Sequence, residues 1–407
     1  MKFVAFVAWS IALFASGGVP AFAQAAAPPS TGNVSSVVVL MRHGVRTPTK
    51  PAELAPYARQ PWPKLVVQPG YLTPHGAALV QQLGAYYRKT YGAALRQPQG
   101  GNGCPAADSV SIWADVDERT VATGQALADG FARNCGVSVR HAAGDTDPLF
   151  DPPGVSKVDA ALSLASLQGA VGNDPSALTQ AYRTQFSVLD EILGCTRATA
   201  CKSLSAVPSS IDSKGDGRLA SLSGGIDLAA GAAENLLLEY TDGAPAPGWG
   251  RLDTNSLIAA VQLHVVAKQL EHNRYAARAH ASNVMAHVLQ QLLHPPATVS
   301  FIVGHDTQLE ELSSLLGISW LVRGDAMNDT PPGSGLAFEV HAPAPPLAQP
   351  YVDVYFVAQS LDDMRAGRGA NPQRVPVYVP GCPSLGCPLE TFANGVNAAI
   401  DPAFVQP

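Results

Sequence analysis

The run SSVVVLM, Ser35 to Met41, limits this chain more than any other stretch. It is short, continuous, apolar and β-branched, the pattern of a strand buried on both faces, as strands of parallel sheets are. Such a strand needs helices on both sides of its sheet, so the chain must be built in α/β layers. The run stops abruptly at Arg42-His43-Gly44-Val45-Arg46. Two guanidiniums and an imidazole therefore stand at the carboxyl end of a buried strand, which is where open α/β sheets bind ligands. Only 14% of the 407 residues are charged, so this concentration is not a matter of composition.

The rest of the sequence follows the same layering. The stretch TPHGAALVQQLGAYYRKTYGAAL reads as a helix with Thr73 as N-cap and Pro74 in its first turn. SVSIWADVDERT reads as a strand running into a polar turn, TVATGQALADGFA as a helix, and GVSVRHA as a third short strand. ATVSFIVGHD, GSGLAFEVH and YVDVYFVAQ restore the strand pattern near the C-terminus. Between Ser156 and Pro295 the texture is helical throughout, and no internal repeat is visible. The expected fold is α/β: a central, mostly parallel sheet flanked by helices, with an inserted mainly helical domain. Residues 31–155 and 296–407 form the α/β part and residues 156–295 the insertion.

The N-terminus reads as a secretory leader over residues 1–23. Lys2 is its positive end, FVAFVAWSIALF its apolar core, and Ala21-Phe22-Ala23 its small-residue cleavage site. Gly17, Gly18 and Pro20 break the apolar stretch before it reaches the length of a bilayer span. The expected location is periplasmic or secreted, with no membrane attachment after cleavage. Loss of the leader moves the formal charge from −6 to −7. No basic run is long enough to follow a phosphate backbone, so no nucleic-acid partner is expected. Six cysteines behind a leader favour disulfides, with fifteen pairings possible on paper. Proximity suggests Cys104–Cys135, Cys195–Cys201 and Cys382–Cys387. Cys382 and Cys387 lack the second ligand pair that a zinc site needs.

Three predicted strands end in reactive residue types: the first at Arg42-His43-Gly44-Val45-Arg46, the second at Asp115 to Arg119, the third at Gly304-His305-Asp306. Parallel neighbours would bring these ends into one pocket. Arg42, Arg46 and Arg119 offer forked, permanently charged donors to phosphate oxygens. His43 is suited to attack phosphorus if one ring nitrogen is free and the other is oriented by an acceptor such as a backbone carbonyl. Gly44 removes a side chain beside it and permits unusual backbone angles. Asp306 is placed to protonate a leaving alcohol and later to activate water, and it also suits the cap of the helix that follows. Asp117 and Glu118 read as orienting Arg119 or capping a helix. His264, His272, His280, His287 and His294 recur at seven or eight residues. Seven residues rise about 10.5 Å along a helix, too far for one metal, so they read as a partly exposed face. No metal and no cofactor is expected.

RHGVRTP with GHD, supported by ADVDERT, PAPGWGR and NDTPPGSGLAFE, resembles the histidine acid phosphatases, the clade-two branch of the histidine phosphatase superfamily, and within it bacterial periplasmic phytases and glucose-1-phosphatases. The resemblance runs over nearly the whole mature chain, although those enzymes commonly carry a further disulfide near the C-terminus that is missing here. It implies His43 as phosphohistidine nucleophile and Asp306 as proton donor. It also implies that Arg42, Arg46, Arg119 and His305 bind phosphate. Thr49 and Lys50 match positions lining the substrate entrance, and Glu234 falls where relatives have an acid at the pocket rim. Gln308 stands where those phytases have Asn, and Gly231 where they have a bulkier residue, which leaves substrate preference open. The expected activity is hydrolysis of small phosphomonoesters, phytate or a sugar phosphate such as glucose 1-phosphate. The alternatives are a phosphoglycerate-mutase-like phosphotransferase and a non-catalytic phosphate-binding protein.

Overall fold

The computed structural model describes residues 33–64, 66–95, 103–151, 157–195, 201–345 and 347–406. The leader expected over residues 1–23 lies outside the described residues. The strands are β1 (Val34–Arg42), β2 (Val110–Ala114), β3 (Val139–Arg140), β4 (Ser209–Asp212), β5 (Ser221–Gly224), β6 (Val299–Gly304), β7 (Gly335–His341), β8 (Tyr351–Ala358), β9 (Gln373–Pro376) and β10 (Cys387–Pro388). The helices are α1 (Pro74–Tyr91), α2 (Glu118–Phe131), α3 (Ala160–Ala170), α4 (Ser176–Ala181), α5 (Arg183–Leu193), α6 (Gly225–Thr241), α7 (Thr254–Glu271), α8 (Arg274–Leu293), α9 (Asp306–Leu316), α10 (Leu361–Arg365) and α11 (Leu389–Ala399). Among the described residues no helix is long and apolar enough to cross a membrane.

The main sheet runs β10-β8-β7-β1-β6-β2-β3, with β9 also paired to β8. β1, β6, β2 and β3 are parallel neighbours, while β7 joins β1 antiparallel and opens an antiparallel half. Thus β1 is the seam between the two halves. Its apolar run is buried on both faces, as the sequence predicts. Val38 and Leu40 enter one core with Ile302, Leu336 and residues of α8, α9 and α11. Val37, Val39 and Met41 enter the other with Val80, Leu83, Leu127 and Phe131 of α1 and α2. In register, Arg42 stands opposite Gly304, and Val303 opposite Ala114, so the three carboxyl ends are level.

A third core gathers α3, α5, α6 and α7 with Leu54 and Ala58 from the segment after β1. The hairpin β4–β5 inside this block is absent from the sequence reading, because its strands are four residues each and rich in serine. The long stretch from Thr254 to Leu293 is two helices. Asn273 breaks it, its side chain accepting from the backbone N–H groups of Tyr275 and Ala276 as the N-cap of α8. The cysteines pair 104–135, 195–201 and 382–387, with Cα separations of 5.5, 5.2 and 5.1 Å.

Helices α1 and α2 meet backbone to backbone on the sheet. A Cβ added to Gly130 would lie 1.9 Å from the Gln81 carbonyl oxygen, and one on Gly84 2.5 Å from that of Leu127. This crossing fixes α2, whose first turn carries Arg119. Gly130→Ala should therefore cost about 1–3 kcal/mol of overpacking, against about 0.5–1 kcal/mol gained in helix propensity. Gly231 on α6 has nothing within 4 Å of the same added atom. Gly231→Ala should stabilise by about 0.5–1 kcal/mol. Urea unfolding of the two variants checks both signs, and a Gly130→Ala protein as stable as the parent would contradict the crossing.

Candidate active site

The end of β1 supplies the first half of the site. Arg42 is fully buried: its Nη1 donates to the Thr330 carbonyl at 2.6 Å, and its Nη2 reaches Glu234 Oε1 and, at 3.1 Å, Asp306 Oδ2. These carboxylates hold its pKa above the ordinary arginine value against the pull of burial. His43 is buried beside it. Its Nδ1 lies 2.8 Å from the Gly44 carbonyl oxygen, which only accepts, so Nδ1 carries the proton and Nε2 keeps its lone pair. The orienting carbonyl expected from the sequence is thus that of the very next residue. Burial, then the charges of Arg42 and Arg46, hold the His43 pKa well below its usual value, so the ring is neutral. Gly44 sits outside the left-handed region, and its role is room. A Cβ there would stand 2.7 Å from Val80 Cγ2. Its N–H is held by Thr123 Oγ1 of α2 at 2.9 Å.

The ends of β2 and β6 supply the other half. Arg119 is anchored by Asp117, with Nη2 to Oδ2 2.6 Å, and the same nitrogen stands 3.4 Å from His305 Nδ1. Asp117 therefore orients Arg119, as one of the sequence readings has it. Glu118 does not: its Oε2 accepts from the Leu72 N–H at 2.9 Å and ties down the chain leading into α1. His305 donates from Nε2 to Asp115 Oδ2 at 2.6 Å, and its ring meets that of His43 edge-on at 5.6 Å between centroids. His305, not Asp306, takes the N-cap position of α9. Gln308 fixes that turn by accepting from the His305 N–H at 2.8 Å. Asp306 is the first residue of the helix, free to face Arg42. Burial works to raise its pKa, but the charges of Arg42, His264 and Arg46 overcome this and keep it well below the usual carboxylate range.

Arg46 completes the cage, its Nη2 3.3 Å from Glu234 Oε1. Glu234 does more than line the entrance. It is buried, bridging Arg42 and Arg46, with its Oε2 left without a protein partner. The sequence places it loosely because its helix, α6, belongs to the helical block. Thr49 and Lys50 are exposed, and with Arg46, Gly231 and Glu234 they line a cavity of about 220 Å³. Lys50 pairs with Glu53 at 3.5 Å.

The histidine series is also not one partly exposed face. His264 and His272 are buried on Glu310, at 3.6 and 3.2 Å, while His280 pairs with Glu311 at 3.0 Å and His294 caps the end of α8. Two groups have metal-ligand chemistry among the described residues: Asp115, Asp117 and His305, and Glu234, His264 and Asp306. In each a guanidinium occupies the cationic position, Arg119 in the first and Arg42 in the second. Asp115, Thr123, Glu310 and Thr330 carry no role in the sequence reading. Only Asp115 gave a signal, its place at a strand end.

The arrangement is a cage of three arginines around a neutral imidazole, faced by one carboxylate, and it suits a phosphoryl group. The model of the histidine phosphatase superfamily (branch 2) matches residues 33–177. Phytase AppA of Escherichia coli is 33% identical, over 91% of this chain and 93% of its own. A glucose-1-phosphatase of Salmonella typhimurium is 27% identical over 92% and 95%. The apo structure of Hafnia alvei phytase, 30% identical, superposes with a TM-score of 0.85 over 94% of this chain and all of that one. The same enzyme in complex with myo-inositol hexakis sulphate gives 0.83 at 28% identity, over 93% of this chain and all of that one. This chain is a phosphatase and belongs to branch 2 of the histidine phosphatase superfamily.

Proposed function

We propose that the protein is a secreted acid phosphatase working through a phosphohistidine. The observation that carries the reading is His43, neutral, with Nδ1 locked on the Gly44 carbonyl and its ring among Arg42, Arg46 and Arg119. The phosphate of the substrate sits in the cage, with His305 beside it, holding Arg119 in place. His43 Nε2 attacks phosphorus in line, and the P–O bond to the leaving group breaks as Asp306 gives that oxygen a proton. Water then attacks the phosphohistidine, Asp306 takes its proton, and inorganic phosphate leaves. Residues 31–155 and 296–407 act as the catalytic part. The insertion over 156–295 contributes Glu234, which fixes Arg42 at the end of β1 and Arg46 just beyond it. Secretion is supported by the leader pattern and by the pairing of all six cysteines.

For the substrate, we propose phytate or a sugar phosphate, the choice being shaped at the cavity of Thr49, Lys50 and Gly231. Relatives named for both substrates support this breadth. The open space over Gly231 favours a bulky leaving group at this entrance. A panel of phytate, glucose 1-phosphate and p-nitrophenyl phosphate ranks them by kcat/KM. Release of free phosphate without an isomerised product separates the reading from a mutase.

His43→Ala should lower p-nitrophenyl phosphate hydrolysis by about a thousandfold or more, with none of the alkali-stable, acid-labile phosphoenzyme that an alkaline quench should trap in the unmutated protein. Full activity in that variant would remove the mechanism. Asp306→Asn should depend on the leaving group. In kcat/KM, which reports only the steps up to departure of the leaving group, a sugar alkoxide needs the proton and should lose about 10²–10⁴-fold, whereas p-nitrophenolate leaves unaided and should lose far less. Equal losses on both substrates would count against Asp306 as donor.

The pH dependence has a definite sign. Asp306 must hold a proton for the first step, and Arg42 and its neighbours hold the carboxyl pKa low, so activity declines as pH rises. His43 must be neutral, and its depressed pKa keeps it so well below pH 6.5. The kcat/KM for a sugar phosphate should rise from pH 8 towards about pH 4.5. A flat profile from about pH 4 to 8 would refute the assignment.

A further inference from the structure

A second layer of charge lies against the cage. His264 on α7 and His272 at its C-terminal cap both point at Glu310, one helical turn after Asp306 on α9. The distances are 3.6 Å from His264 Nε2 to Oε1 and 3.2 Å from His272 Nδ1 to Oε2, and all three side chains are buried. His264 also meets the catalytic layer: a ring nitrogen of His264 and carboxylate oxygens of Glu234 and Asp306 lie within 4.8 Å of one another. The charged groups around His264 are Glu234 from α6, Asp306 and Glu310 from α9, Arg42 from β1 and Asp329 from the segment before β7. Lys268 and His272 stand on its own helix side. Arg42 pairs with Glu234 and Asp306, and Arg46 with Glu234, while the ion pairs of Glu310 are to His264 and His272; a buried carboxylate left without a cation is costly.

We propose that His264, held against Glu310, is a positioning residue whose imidazolium shares Asp306 and Glu234 with Arg42 and so sets the pH range in which Asp306 delivers its proton. The proposal rests on Asp306 as proton donor. Burial disfavours a charged His264, yet Glu310, Glu234 and Asp306 outweigh it and push its pKa up to about 9. In turn His264 stands second only to Arg42 among the charges that lower the Asp306 pKa. His43 and His264 thus take opposite states: one is kept neutral by burial and arginines, the other charged by carboxylates.

The test is His264→Gln, which keeps a polar side chain and removes the charge. With a positive neighbour gone, Asp306 becomes a weaker acid. The limb of kcat/KM along which activity falls with rising pH should move up by about one pH unit. A folded variant with an unmoved limb overturns the proposal, since a merely structural role would alter stability and leave the limb in place. The leaving-group comparison for Asp306→Asn, made separately, shows whether a failure belongs to His264 or to the donor assignment. Should His264→Gln fail to fold, the unmutated protein still decides. Its nitrogen-15 histidine spectrum should retain a buried imidazolium at pH 8, and a spectrum with every ring neutral there overturns the proposal. Stability carries the same sign. The raised pKa means a contribution fully present below pH 6.5 and lost as pH passes about 9, so the melting temperature should fall across that window.

Discussion

The site depends on how one buried guanidinium is satisfied. Arg42 has no solvent to fall back on, and a buried charge without partners is among the most costly features a fold can hold. Its partners come from three places distant in sequence: Glu234 on α6, Asp306 at the start of α9 and the Thr330 carbonyl before β7. Satisfying Arg42 therefore brings the helical block, Asp306 and the segment preceding the antiparallel half to the end of a single strand. The same contacts leave the guanidinium beside His43, where phosphate oxygens would take up its remaining donors. Structural and catalytic demands on this side chain are met by one geometry.

The strand pattern of β1 showed which way the site would face, and it did so because burial on both faces is a property of consecutive residues. Val37 to Met41 divide alternately between two cores, and that division follows from apolar β-branched residues in unbroken series. The convergence of Arg42, Arg119 and His305-Asp306 was legible for a related reason: parallel strands in register end at one level. Neither inference needed the helical block. What the sequence concealed lies there or faces it. Glu234 looks like any acid on an alanine- and leucine-rich helix until the helix is seen to turn it onto Arg42 and Arg46. Regular histidine spacing suggested one continuous face, but Asn273 ends one helix and caps the next, so the periodicity joins residues with different surroundings.

Gly44 and Gln308 show that spacing alone does not say which of a residue's uses the fold takes up. Glycine offers room beside His43 as well as unusual backbone angles, and here it is room, because Val80 approaches closely. A substitution at Gln308 suggests altered substrate contact, but its amide holds the His305 N–H and so fixes the turn that carries the donor. Each is a matter of separation in space, which sequence spacing does not encode.

The electrostatic design follows from charge ordering more than from the number of charges. Burial, together with Arg42 and Arg46, keeps His43 unprotonated, which preserves its lone pair in acid solution. Glu234 bridges the same two arginines and offsets their mutual repulsion. A carboxylate adjacent to His43 instead would raise its proton affinity and abolish the nucleophile where the enzyme needs it. The carboxylate nearest the reaction, Asp306, is itself bound to Arg42, so its proton affinity falls and rises with the occupancy of the cage. A phosphate dianion entering the cage offsets the arginines and makes Asp306 easier to protonate when a leaving group is present. In the proposed mechanism, proton supply is thereby tied to substrate binding by electrostatics, without requiring any element of the fold to move.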